Sequence, residues 1–157
     1  WLKEPKAKFA THNARVETIA EKPTWKNPLQ FNRCLVPLTA FIEPIYTNEF
    51  AGNMVKFEPD NEEILVAAGL YDEWVNKETG EVIESFAIIT TNPYKYIAKI
   101  GHDRSPLFIS KDKFADWILP NKMETDYATE YLMGSKIEPN FHAVVDRPMK
   151  PGWEKRK

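Results

Sequence analysis

Three consecutive ionisable residues, His102, Asp103 and Arg104, follow Gly101 and precede Ser105-Pro106. Glycine and proline around them argue for a turn rather than a helix interior. Apolar runs flank that turn, Phe86–Thr91 upstream and Leu107–Ile109 downstream. An imidazole, a carboxylate and a guanidinium on a turn between buried elements can move protons and hold anions. A plain surface turn is the competing reading. Two other segments share the character: Asn13-Ala14-Arg15, and Glu43 placed after Phe41-Ile42. Buried ionisable groups are costly unless paired, so the economical arrangement is for these groups to meet in one cavity. An Asn, a Glu whose pKa burial has raised, a His and two Arg would form an acid–base site with an anion clamp.

The elements that must position them can be read in outline. Thr11–Thr18 opens as a short helical or turn segment, which Pro23, Trp25 and Pro28 break. Phe31–Leu38 and Ile64–Leu70 are apolar enough for buried strands, and Thr39–Pro44 runs on toward the core. Tyr46–Glu62 is an acidic loop or hairpin. Tyr71–Trp74 leaves the second buried strand, and Asn76–Gly80 turns into a further strand, Val82–Thr91. Short helices are expected over Pro93–Ile100, over Lys111–Leu119 with Ser110 as N-cap, and over Thr125–Met133. The basic, proline-rich tail from Asp146 to Lys157 reads as an arm or edge strand. Trp25 and Trp74 read as core, and His12 and His142 as surface. The fold class is α+β with a mainly antiparallel sheet or open-barrel core and a few peripheral helices.

Composition sets limits. A chain of 157 residues, 43% hydrophobic and 13% aromatic, supports one domain with a real core and excludes disorder. No apolar run reaches membrane-spanning length. One cysteine excludes an internal disulfide, and no Cys/His cluster points to zinc. The net charge of −2 is unevenly spread. Residues 1–36 carry seven Lys/Arg against three Asp/Glu, whereas residues 45–85 carry two against ten. The basic part could attract a polyanion and the acidic part would face away from it. Cys34 sits inside an apolar run, where a thiol is ordinarily inert packing with a raised pKa.

Six motifs together resemble the SRAP family (SOS response-associated peptidase). They are Asn13-Ala14-Arg15-Val16-Glu17-Thr18, Arg33-Cys34-Leu35-Val36-Pro37, Phe41-Ile42-Glu43, Ala68-Gly69-Leu70-Tyr71-Asp72-Glu73-Trp74, Ile88-Ile89-Thr90-Thr91-Asn92 and His102-Asp103-Arg104-Ser105-Pro106. They come in the family's order. The resemblance implies a protein that shields abasic sites in single-stranded DNA through a covalent thiazolidine made by an N-terminal cysteine, exposed when the protein autocatalytically removes its own initiator methionine. It implies that Asn13 positions the reacting sugar, that Glu43 is the acid/base while the abasic sugar ring opens and the imine forms, and that His102 shuttles a proton beside it. Arg15 and Arg104 would hold flanking phosphates, and Trp1, ending a WGLxPxW-like stretch, would stack near the DNA. No metal or other cofactor is implied. A cytoplasmic monomer working at the nucleoid or replication fork, away from membranes, is expected.

Residues 1–157 then read as the larger, C-terminal part of a single SRAP domain, with 146–157 a basic tail and the nucleophile's segment lying upstream. Two departures stand out: Pro44 follows Glu43 where a tryptophan is common, and Ser105 stands where methionine is common. A non-catalytic single-strand-binding module and a peptidase acting on other proteins are the alternatives. No Ser-His-Asp or Cys-His arrangement for cutting in trans is evident.

Overall fold

A computed structural model describes residues 11–61 and 64–156. In chain order the elements are β1 (Asn13–Arg15), α1 (Pro23–Phe31), β2 (Arg33–Leu38), β3 (Phe41–Ile45), β4 (Asn53–Pro59), β5 (Leu65–Val75), β6 (Val82–Thr91), α2 (Lys95–Ile100), β7 (Ser105–Pro106), α3 (Phe114–Ile118), α4 (Thr125–Ser135) and β8 (Phe141–Pro148). The class is α+β with mainly antiparallel sheets and few helices, as the sequence implies. Contacts divide the chain into two compact units, each gathered from separate stretches.

The first unit takes its described residues from 11–36, 67–91 and 106–137. Its sheet runs β1-β6-β5-β2. β5 and β6 form an antiparallel ribbon from Gly69 opposite Ile88 to Val75 opposite Val82. The turn closing it is set by Asn76, whose side-chain oxygen accepts the Glu78 N–H at 2.9 Å, with Gly80 at φ 74°. β1 pairs parallel to β6, with Ala14 opposite Ile89. Ala14, Val16, Ile19, Leu29, Leu70, Ile89, Leu107, Trp117 and Leu132 form the buried cluster. Each large aliphatic side chain among them contributes roughly 1.5–3 kcal/mol. Arg33 is also buried, at 4% exposure. Its guanidinium donates to the carbonyls of Trp117 (2.8 Å), Leu29, Gln30, Leu119 and Asn121, tying β2 to the ends of α1 and α3. Trp117 Nε1–H donates to the Cys34 carbonyl at 2.9 Å.

The second unit holds the sheet β3-β4-β8 and α2. β3 pairs β4 antiparallel with Glu43 opposite Val55, and β4 pairs β8 with a register shift at Met54/Val55. Ile45, Val55, Phe57, Tyr94, Ile97 and Phe141 are buried. The Phe41 and Phe57 rings stack with centroids 5.0 Å apart.

Several local expectations need correction. Asn13–Arg15 is strand rather than helix or turn. Its pairing partner lies some seventy residues on, beyond the reach of local pattern. Pro23 starts a helix instead of breaking one, because the first helical position has no intrahelical use for the missing N–H. Pro28 is tolerated inside the same helix. Tyr71–Trp74 does not leave β5 but extends it to Val75, and Trp74 is only half-buried. Trp25, by contrast, is core at 7% exposure. Ser110 makes no side-chain capping bond. The tail divides: through Pro148 it is strand β8 at one side of its sheet, and Trp153–Arg156 forms a 3-10 turn.

Candidate functional site

In the second unit, α2 ends where it does because of Gly101. That residue adopts φ 105°, and a Cβ there would lie 2.5 Å from Thr47 Oγ1 and 2.9 Å from Asn48 Nδ2. The Asn48 amide donates to the Lys99 carbonyl at 3.1 Å, and the His102 N–H reaches back to the Ile97 carbonyl at 3.2 Å. These bonds satisfy carbonyls that the helix end leaves open. At the other end of α2, the Tyr94 N–H donates to the Ser105 hydroxyl (3.2 Å) and the Lys95 N–H to Glu138 Oε1 (2.9 Å). Buried Ser105 thus helps to close the 92–105 segment, a use that methionine could not supply.

The turn leaves His102 held at both ring nitrogens. Nδ1 lies 2.9 Å from the Arg104 carbonyl oxygen and 3.2 Å from the Arg104 N–H. Nε2 lies 3.4 Å from Glu43 Oε2. The imidazole side chain is 13% exposed and the Glu43 side chain 29%. Burial is the largest single influence on His102 and acts downward. The hydrogen bond to Glu43, the Arg104 carbonyl and the charges of Glu43 and Asp103 together outweigh it, so the His102 pKa is raised. Imidazolium with carboxylate satisfies the Arg104 carbonyl and Glu43 together: Nδ1–H donates to that carbonyl and Nε2–H faces Glu43. The Arg104 N–H can donate to Nδ1 only when that nitrogen keeps its lone pair. Neutral imidazole instead leaves one ring nitrogen free to accept a hydrogen bond. The ring can therefore gain or lose a proton without moving a heavy atom.

Glu43 and His102 thus meet through their side chains and Arg104 meets the ring through its backbone, so an imidazole rather than an apolar wall faces the carboxylate. Arg104 Nη1 points to Asn92 Oδ1 at 3.4 Å, a contact that motif reading did not single out. Asp103 is exposed.

Asn13 and Arg15 lie in the first unit, on the exposed face of β1 on either side of buried Ala14. They line a hollow of about 410 Å3 together with Thr11, Thr18, Lys22, Thr24 and Trp25. Two cations, an amide and three hydroxyls suit an anionic, oxygen-rich ligand. Lys22 and the threonines were missed from sequence, where only the basic balance of residues 1–36 hinted at them. Trp1 lies outside the described residues.

His12 is exposed, and exposed His142 sits between Glu58 (3.4 Å) and Asp60 (3.2 Å). Burial pushes the Cys34 thiol up to about 11, so little thiolate exists near neutrality. Among the described residues no group of three or more His, Cys, Asp or Glu is arranged to hold a metal, and no helix is long and apolar enough to cross a membrane.

A family model described as SOS response associated peptidase (SRAP) matches residues 1–147. Abasic site processing protein YoaM of Bacillus subtilis (strain 168) is 31% identical over 133 residues, covering 85% of this chain and 58% of YoaM. Abasic site processing protein HMCES of Pongo abelii is 28% identical over 173 residues, covering 92% of this chain and 49% of HMCES. The chain therefore spans 49–58% of these relatives' length. A solved protein of Bacteroides thetaiotaomicron superposes with a TM-score of 0.70 at 29% identity, over 86% of this chain and 58% of that one. One of Bordetella bronchiseptica, at 21% identity and TM-score 0.71, shares the fold over 89% of this chain and 67% of its own.

Proposed function

This chain belongs to the SOS response associated peptidase (SRAP) family, and on that premise we propose that it carries the acid–base pair of a protein that captures abasic sites in single-stranded DNA. The observation carrying the reading is the Glu43–His102 contact at 3.4 Å, with the far ring nitrogen fixed by a backbone carbonyl. Relatives named abasic site processing proteins support the substrate.

An abasic deoxyribose must open to its aldehyde before an amine can attack it. Opening needs a proton on the departing ring oxygen, and imine formation needs another to expel water. Glu43 supplies the proton and His102 replenishes it. Their separation is longer than a tight hydrogen bond, and such contacts shorten when substrate excludes water. Asn13 orients the sugar, and Arg15 and Arg104 hold neighbouring phosphates. The covalent step belongs to an N-terminal cysteine of the intact protein. Its α-amine, with an ordinary pKa of about 7.7–8.0, attacks the aldehyde carbon at neutral pH. Water leaves to give the imine, and the thiol then adds to the imine carbon, closing a thiazolidine. Removal of the initiator methionine uncovers that residue.

The test is incubation of the intact protein with an oligonucleotide bearing one abasic site, followed by a denaturing gel. A shifted species is expected, and Glu43→Gln should slow its appearance by about 100-fold. Absence of the species, with a free N-terminal cysteine verified by mass spectrometry, overturns the reading. Salt-sensitive binding with no adduct would then favour a non-catalytic single-strand-binding module, and efficient cleavage of an unrelated peptide a peptidase acting in trans.

A further inference from the structure

A second hollow, of about 470 Å3, is built on the second unit by the C-terminal tail. Pro44, Tyr46, Met54, Arg147, Lys150 and Trp153 line it. Neighbouring residues of a strand face opposite ways, so Pro44 puts this hollow on the other side of β3 from Glu43. After β8 the tail folds back, and the Met149 N–H donates to the Gly52 carbonyl at 2.8 Å. Gly52, at φ 85°, lets the Trp153 ring lie against the backbone, since a Cβ there would meet ring atom Cζ2 at 3.0 Å. The Tyr46 ring stands 6.4 Å from the indole, tilted by 47°. An indole and a phenol are thereby held as two half-buried walls, with the exposed cations Arg147 and Lys150 beside them.

We propose that this hollow is a subsite for one nucleotide of a single-stranded DNA, its base stacked on Trp153 and Tyr46 and its phosphate held by Lys150 and Arg147. The lining is rich in aromatic, thioether and proline surface, which favours a flat π-face over a ligand read through its edges. Stacking of that kind tolerates any base, as a strand-tracking site requires. The two cations select an anionic ligand, even though Arg147 already contacts Asp146. The volume lies within the range of pockets that enclose small-molecule-sized groups. In this chain a tryptophan from the tail thus serves the face on which Pro44 stands. The inference rests on the reading that the protein handles DNA, but its test requires no adduct.

The experiment uses the intact, 15N-labelled protein and an oligothymidylate of about ten residues without an abasic site, long enough to span a typical single-strand site. The Trp153 indole N–H signal is assigned by its loss in Trp153→Phe. That signal should shift and saturate with the oligonucleotide. Trp153→Ala should weaken binding by about tenfold while Trp153→Phe, which keeps an aromatic face, retains most of it. Gly52→Ala, which displaces the ring without removing it, should weaken binding in the same direction. Lys150→Ala should lower the salt dependence of log K by about 0.7. An unmoved Trp153 signal while DNA binds elsewhere overturns the proposal. So does a shift with thymidine 5′-monophosphate or an acidic peptide but not with the oligonucleotide. A shift with intact DNA but no adduct on abasic DNA would support this subsite while removing the covalent reading. An adduct with an unmoved Trp153 would do the opposite.

Discussion

His102 is held at both ring nitrogens, and its protonated form satisfies the Arg104 carbonyl and Glu43 together. Its folded pKa lies above the ordinary value of 6.5. The pair's contribution to stability is therefore fully present below that pH and is lost as pH rises through the folded pKa. Chemical denaturation of the wild type and His102→Gln should show a larger stability gap at about pH 6 than at about pH 8.5. A gap that stays constant or widens at alkaline pH would remove the charged pair from the account. Cys34 gives an opposite case, a thiol that burial keeps protonated. Alkylation by iodoacetamide at neutral pH should run far slower at Cys34 than at a free cysteine, and faster only once the chain is unfolded.

At the scale of elements, the site depends on how α2 stops. Gly101→Ala must place a Cβ 2.5 Å from Thr47 Oγ1 on a backbone at φ 105°. It should cost more than about 1 kcal/mol of stability in urea denaturation and should disturb His102 besides. Arg33 acts similarly for the first unit, because five carbonyls converge on its guanidinium. Arg33→Met would leave those acceptors unmatched, and a loss of roughly 1–3 kcal/mol is expected from the same measurement. These two positions also explain what could be read in advance. The helix 95–100, the turn bearing His102 and the 82–91 strand follow local punctuation by Gly, Pro and Asn, and so were legible. Strand β1 was not, since Asn13 and Arg15 present polar side chains to solvent and only Ala14 is buried. Helix α1 was hidden by prolines whose effect depends on their position within the helix. Lys22 and Trp153 join their hollows through the return of the chain, which no spacing rule reveals.

For the whole molecule, the charge asymmetry has a physical counterpart. Arg15 and Lys22 share one hollow in the first unit, and the long β5–β6 ribbon carries Glu73 opposite Glu84. Like charges facing across strands repel any polyanion from that ribbon. Replacing Arg15 and Lys22 by alanine should lower the slope of log K against log salt for single-stranded DNA by about 1.4, at about 0.7 per phosphate contact. The six motifs made the family legible, whereas the pairing of Glu43 with His102 required the fold. That pairing also sets the most direct test, the pH profile of single-turnover adduct formation by the intact protein. The attacking amine must be free of its proton and the Glu43–His102 pair must hold one, so a bell is expected. In His102→Gln the alkaline limb should move or vanish while the acid limb, set by the amine, stays. A His102→Gln profile that superimposes on the wild type in both shape and height would contradict the account.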